Sequence, residues 1–258
     1  MKKKFIMIFI LFIMIISLSS CNGGMTYSHG YFKYKINNES NEIMLVGLTK
    51  KGQEQETLVI PSEIKGKKVT TIGYPVWRYP GSYHWKCDFK SDKLKNLYFP
   101  SSISFSDFTG GFYGELTDIK YIYWGKRNSS TIGIESAPKD GNVYVSTSCY
   151  MFNEFSDNHY NIHGELIDNS YIKIANVVYY LNDETNDTFF VDDCDGTIVN
   201  VVPPNPIREG YKFNGWYKEK ECINKWDFEK DIIPSKEYDS DGNYIFKETS
   251  LYACWEKE

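Results

Sequence analysis

The acidic residues near the C-terminus are the ones whose type and spacing come nearest to a chemical site. Glu237, Asp239 and Asp241, with Gly242 and Glu248, place oxygen ligands at the first, third, fifth and twelfth positions and glycine at the sixth, the spacing by which a loop surrounds calcium. Against calcium, the first position is Glu rather than Asp, Pro234 stands where a helix would lead in, and Tyr244-Ile245-Phe246 has the composition of a strand. A hairpin turned at Asp241-Gly242 is the simpler expectation, and no metal is assigned. His159 and His163 would align two imidazoles on a helix, with Asp157 or Glu165 as a third ligand, but Asn158, Asn161 and Gly164 oppose a helix there. They are expected to be exposed linker histidines. Asp192, Asp193 and Asp195 beside Gly196 read as a solvated turn, because a glycosidase pair needs two carboxylates set across a cleft.

Nucleophilic and nucleotide chemistry lack their signatures. There is no Gly-x-Ser-x-Gly elbow, no phosphate-binding glycine loop and no dinucleotide fingerprint. No catalytic residue and no cofactor is assigned, and the chain is expected to bind rather than to catalyse. Its 6 cysteines are Cys21, Cys87, Cys149, Cys194, Cys222 and Cys254, spaced too widely for a metal-binding CxxC pair or a dense disulfide scaffold. The five after Cys21 are odd in number, so at least one is unpaired within the chain. A bridge between Cys222 and Cys254 would close a loop worth about 3 to 4 kcal/mol in chain entropy, with Cys194 as a competitor.

The elements that must carry these residues are strands. Val/Ile/Tyr/Phe runs recur throughout, broken by Gly, Pro, Asn and Asp, and no long stretch has helical spacing, so the fold class is mostly β. Aromatic residues make up 17% of the chain, which suits both sheet cores and adhesive surfaces. Nucleic acid is excluded as a partner: the formal charge is -5, and no dense basic run follows Lys68.

The N-terminus reads as an export address. Lys2, Lys3 and Lys4 precede an apolar run from Phe5 to Leu18, too short to span a bilayer core that takes roughly 20 residues. Leu18-Ser19-Ser20-Cys21 resembles the lipobox of bacterial lipoproteins, which implies cleavage after residue 20 and lipid attachment at Cys21. Residues 1–20 are then a signal peptide and 21–30 a small, polar tether. Loss of the three lysines takes the formal charge from -5 to -8.

Two further resemblances follow. Leu58-Val59-Ile60-Pro61-Ser62-Glu63-Ile64 returns as Leu97-Tyr98-Phe99-Pro100-Ser101-Ser102-Ile103, and Ile64-Lys65-Gly66-Lys67-Lys68-Val69-Thr70-Thr71-Ile72-Gly73 intervenes. Strands are expected at Tyr121 to Trp124 and Val143 to Val145. This text resembles the BspA-type leucine-rich repeat of bacterial surface proteins, with Tyr74 to Ser91 as an insertion and Val76-Trp77 in place of the familiar alanine and phenylalanine. It implies a short solenoid over 31–157, followed by a polar linker at 158–170.

Pro206-Ile207-Arg208-Glu209-Gly210-Tyr211-Lys212-Phe213-Asn214-Gly215-Trp216-Tyr217, with Trp226-Asp227-Phe228 and Leu251-Tyr252-Ala253-Cys254-Trp255, resembles the internalin-type B-repeat, also called the Listeria-Bacteroides repeat. The resemblance implies a small β-grasp-like module over 171–258. Tyr211, Phe213, Trp216, Tyr217, Trp226, Phe228 and Trp255 are expected to form its aromatic core.

The resulting expectation is a lipid-anchored protein facing the extracellular side of a bacterial cell membrane, held by its N-terminal lipid and binding an unidentified protein or glycan. Trp77, Tyr79, Tyr83, His84 and Trp85 in the insertion are the ligand-contact candidates, flanked by Pro80 and Gly81. The alternatives are a structural spacer on the cell surface and a solute-binding lipoprotein.

Overall fold

The computed structural model describes residues 25–79, 82–86, 88–103, 121–125, 142–148, 159–160, 166–167, 172–185 and 187–258; of 75–79, 82–86, 122, 124, 159–160, 166–167 and 172 it describes the backbone alone. The described residues are mostly strand, and the only helix among them is one turn at Lys50–Gln53. Thr49 caps that turn by accepting the amide of Gly52 at 3.1 Å.

Chain order begins with β1 (Tyr27–His29), β2 (Phe32–Ile36) and β3 (Ile43–Leu48), then β4 (Thr57–Val59), β5 (Glu63–Ile64) and β6 (Lys67–Ile72). An insertion hairpin, β7 (Tyr74–Tyr79) and β8 (Ser82–Lys86), precedes β9 (Asn96–Phe99), β10 (Tyr121–Trp124) and β11 (Asn142–Val145). After a short pair, β12 (His159–Tyr160) and β13 (Leu166–Ile167), come β14 (Ile172–Ile174), β15 (Val177–Tyr180) and β16 (Thr188–Asp192). The chain ends with β17 (Tyr211–Tyr217), β18 (Glu237–Tyr238), β19 (Tyr244–Ile245) and β20 (Thr249–Lys257).

The first sheet has the order β1-β2-β3-β6-β5. Lys65 and Gly66 both have positive φ, 53° and 73°, as the tight turn joining β5 to β6 requires. Chain leaving the insertion is tied back to this sheet, where Asp88 donates its amide to Val46 and accepts the amide of Leu48.

The second sheet is parallel throughout, in the order β14-β11-β10-β9-β4. Its register aligns Leu58 with Leu97, Ile122, Val143 and Ile172, so the residues that recur in the sequence lie side by side in space. Because side chains alternate across a strand, Leu58, Ile60, Leu97, Phe99, Val143 and Val145 all enter one core, which they share with Ile43, Leu45 and Leu48 of β3. Ile172–Ile174 pairs with β11, so by hydrogen bonding this segment belongs to the parallel sheet rather than to the module that follows.

The third sheet has the order β16-β15-β20-β17, with β15 and β20 parallel and both outer pairs antiparallel. Gly215, at φ 121°, sits at a register shift in β17, where a Cβ would come within 2.5 Å of the Lys225 side chain. Trp216 and Trp226 are buried in the core, with Tyr179, Phe189, Phe190 and Leu251 around them. Phe213, Phe228 and Trp255 are half-buried against it. Tyr211 instead lies under the Arg208 guanidinium, 3.9 Å from its ring centre, at the start of β17.

Candidate functional site

The face of the parallel sheet opposite the core it shares with β3 carries, in register, Val59 of β4, Tyr98 of β9, Tyr123 of β10 and Tyr144 of β11. Tyr98 and Tyr123 stack with centroids 4.0 Å apart, and Tyr123 and Tyr144 with centroids 4.8 Å apart. The C-terminal module covers this ladder at Tyr98 and Tyr123. Phe190 of β16 stacks on Tyr98 at 5.5 Å, and the Ser101 amide donates to the Phe189 carbonyl at 2.7 Å. Gly125 lies so close that an added Cβ would meet the Phe189 oxygen at 2.1 Å. Tyr98 keeps 2% of its surface, and Tyr123 keeps 7%. Burial, followed by the charge of Asp192, pushes the Tyr98 hydroxyl well above the usual tyrosine range.

The acidic turn is corrected by this interface. Asp192 is fully buried rather than solvated. Its Oδ1 accepts from the Tyr98 hydroxyl, the Asp193 amide and Asn200 Nδ2, and its Oδ2 accepts the Asn200 amide. Four donors replace the lost water, which is the condition for keeping a carboxylate inside a protein. Asp193 pairs with Lys236 at 2.6 Å, and Asp195 accepts the Lys236 amide at 2.7 Å. No local signal marks Asp192 as internal, because the Tyr98 hydroxyl arrives from 94 positions away and Asn200 from beyond the turn.

Beside this interface, β18 and β19 form a hairpin that stands out from the module. Asp239 organises its turn by accepting the amides of Asp241 and Asn243 at 2.9 and 2.8 Å, while Gly242 takes a φ of 82°. Glu237 bonds Lys247, and Glu248 accepts from Tyr180 and Ser250, so the carboxylates spaced as in a calcium loop turn to separate partners. Among the described residues no group of three His, Cys, Asp or Glu side chains could hold a metal ion. Tyr238 lies opposite Tyr244, with ring centres 5.8 Å apart, and Tyr244 meets Phe246 edge-on at 6.1 Å. All three rings are exposed, as is Ile245. Of these, Tyr244 and Ile245 line a cleft of about 300 Å³, together with Ile233, Ser235, Lys236 and Glu248, among others. Alternation of Tyr244 and Phe246 on one side of a strand was the signal in the sequence, outweighed there by the denser aromatics of the insertion.

In the insertion hairpin the backbone register sets Trp77 against Tyr83, Val76 against His84, Pro75 against Trp85 and Tyr79 against Ser82. The side chains of Trp77, Tyr79, Tyr83, His84 and Trp85 lie outside the described residues, as do Pro80 and Gly81. Cys21, Cys87, Cys149 and His163 also lie outside them, with all of 1–24. Cys222 and Cys254 are joined by a disulfide, Cα to Cα 5.8 Å, which ties the loop after β17 to β20. Cys194 is free and buried, its thiol pushed up by burial and then by Asp192. Among the described residues no helix is long and apolar enough to cross a membrane.

Comparison with known proteins agrees with the geometry of the third sheet. A stretch of 81 residues is 30% identical to a protein of Evansella cellulosilytica described as a Gly-rich membrane protein, covering 31% of this chain and 8% of that relative. The chain thus spans less than a tenth of the relative it matches. Residues 176–253 match the Listeria-Bacteroides repeat domain, so this part of the chain is such a repeat and points to a surface-associated bacterial protein.

Proposed function

We propose that the protein is a non-catalytic component of the bacterial cell surface, lipid-anchored at Cys21, that binds a protein or glycan partner through exposed aromatic hairpins. The observation that carries this reading is the β18–β19 hairpin, which keeps Tyr238, Tyr244 and Phe246 in solvent although the module's core is already filled by Trp216, Trp226 and Phe190. Large rings left out of a complete core are the residues from which recognition surfaces are built. Trp77, Tyr79, Tyr83, His84 and Trp85 on the insertion hairpin are a second contact surface in the same proposal.

The in-register parallel ladder of β4, β9, β10, β11 and β14 supports a short repeat solenoid of the leucine-rich kind. A β16-β15-β20-β17 order, second-first-fourth-third counting only the strands of that sheet, supports a β-grasp-like fold for the B-repeat. Export is supported by the Lys2-Lys3-Lys4 and apolar leader, and by the Cys222–Cys254 bridge, since disulfides persist in oxidising compartments. The two acyl chains of a lipoprotein would hold a hydrophilic chain durably, because each buried CH₂ contributes about 0.8 kcal/mol.

Two measurements on the full chain in a bacterial host test the proposal. Mass spectrometry of the membrane fraction is expected to find a diacylglyceryl thioether on Cys21, lost with Cys21→Ser; a retained leader or an unmodified sulfur overturns the anchor. Cells displaying the protein are expected to adhere to immobilised matrix proteins or cell-wall glycans more than cells displaying Tyr244→Ala/Phe246→Ala. Equal adherence overturns the hairpin as the contact.

A further inference from the structure

We propose that the cleft walled by the β18–β19 hairpin is a subsite for a neutral saccharide; this rests on the surface-binding reading and names the ligand class of that hairpin. The first argument is charge. The lining contributes two lysines, Lys236 and Lys247, and two glutamates, Glu237 and Glu248. Lys247 is bonded to Glu237, and Lys236 to Asp193. A phosphate or carboxylate ligand would have to break one of these pairs to find a cation, and the lining has no excess of either sign to attract an ion. A ligand that offers hydroxyls and no charge meets neither obstacle.

The second argument is shape. Tyr244 forms part of the wall and is 36% exposed, with Tyr238 and Phe246 beside it. The ring is held in place by the Lys236 ammonium 5.5 Å from its centre. A fixed aromatic plane next to hydrogen-bonding groups matches a pyranose, whose C–H faces are apolar and whose rim is hydroxylated. Glu248 supplies the matching acceptor: Tyr180 and Ser250 both donate to its Oε1, at 2.8 and 2.6 Å, which fixes the plane of the carboxylate. Asn176, Ser235 and Thr249 add further polar groups to the lining.

Size and strand length decide against a peptide. A volume of about 300 Å³ is at the lower end of ligand pockets, which run roughly 300–1,000 Å³, and gives no room for an amphipathic helix. Strand addition needs an edge of useful length, whereas Glu237–Tyr238 and Tyr244–Ile245 are two residues each.

The test uses the detergent-solubilised full chain with chitotriose, cellotriose and maltotriose as probes, read by saturation-transfer NMR and calorimetry. At least one probe is expected to bind with saturation transfer to its ring C–H protons, at an affinity unchanged between 50 and 500 mM NaCl on the order-of-magnitude scale by which charged ligands weaken. Tyr244→Ala and Glu248→Gln are each expected to weaken it at least tenfold, with Tyr27→Ala, a distant exposed ring, as the unchanged control. No binding by any probe overturns the saccharide assignment, and so does binding that Tyr244→Ala leaves intact. If cells still adhere through the hairpin while no probe binds, the surface-binding reading stands and a proteinaceous ligand replaces the sugar. If both fail, both are overturned.

Discussion

Tyr98 of the parallel sheet donates its hydroxyl to Oδ1 of Asp192 in the C-terminal module, at 3.1 Å and with both residues buried. The two residues are 94 positions apart, and their bond ties the parallel sheet to the Listeria-Bacteroides repeat domain. The tyrosine face of the parallel sheet is thereby committed to an internal contact.

Tyr98→Phe keeps the stacked ring and removes only the donor. A hydrogen bond to a charged group contributes roughly 1.5–3 kcal/mol, so a loss of about 2 kcal/mol is expected, seen as a lower urea midpoint at unchanged slope. An unchanged midpoint would show the bond to be dispensable.

Alkaline pH is expected to destabilise the protein through the same ladder. Burial raises the hydroxyls of Tyr98 and Tyr123 above their ordinary 10.0, so above pH 10 the unfolded chain releases protons that the folded one retains. Stability is therefore fully present below pH 10 and falls as pH rises, by about 1.4 kcal/mol per unit for each tyrosine kept protonated. Denaturant titrations from pH 8 to 11 should give a shallower decline for Tyr98→Phe/Tyr123→Phe than for the unaltered chain.

Gly125→Ala would drive a methyl into the backbone of β16, against the Phe189 oxygen at 2.1 Å. Neither partner is a movable side chain end. A loss of about 3 kcal/mol or more is expected, with a single thermal transition splitting in two as the C-terminal module separates from the parallel sheet. One unshifted transition would mean that the contact is not close.

Cys222→Ser/Cys254→Ser opens a closure of 32 residues. Chain entropy predicts a loss of about 3 to 4 kcal/mol, measurable as a lower melting temperature that reductant reproduces in the unaltered chain. Insensitivity to reductant would indicate that the bridge does not form.

Much of the β architecture was legible in the residues. Apolar alternation fixed which side of each strand faces inward, so Leu58, Ile60, Leu97 and Phe99 reach the core where the pattern puts them. Trp216 and Trp226 were bound inward for the same reason, since a small module must bury its largest rings. Asp192 shows what the sequence withheld. A carboxylate in a run of aspartates is ordinarily solvated; here the Tyr98 hydroxyl, 94 positions away, and two donors of Asn200 join the neighbouring Asp193 amide to make the four donors that let it stay inside.

Strand type, the turn at Lys65-Gly66 and the repeat module's aromatic motif are local properties, set by side-chain period and by backbone angles within a few residues, and the sequence determined them alone. The covering of Tyr98 and Tyr123, and the exposure of Tyr238, Tyr244 and Phe246, were decided by tertiary structure. Both sets are tyrosine and phenylalanine on short strands. Which set ends buried depends on whether another surface of matching shape docks against it, and that is a relation between distant segments that no local pattern encodes.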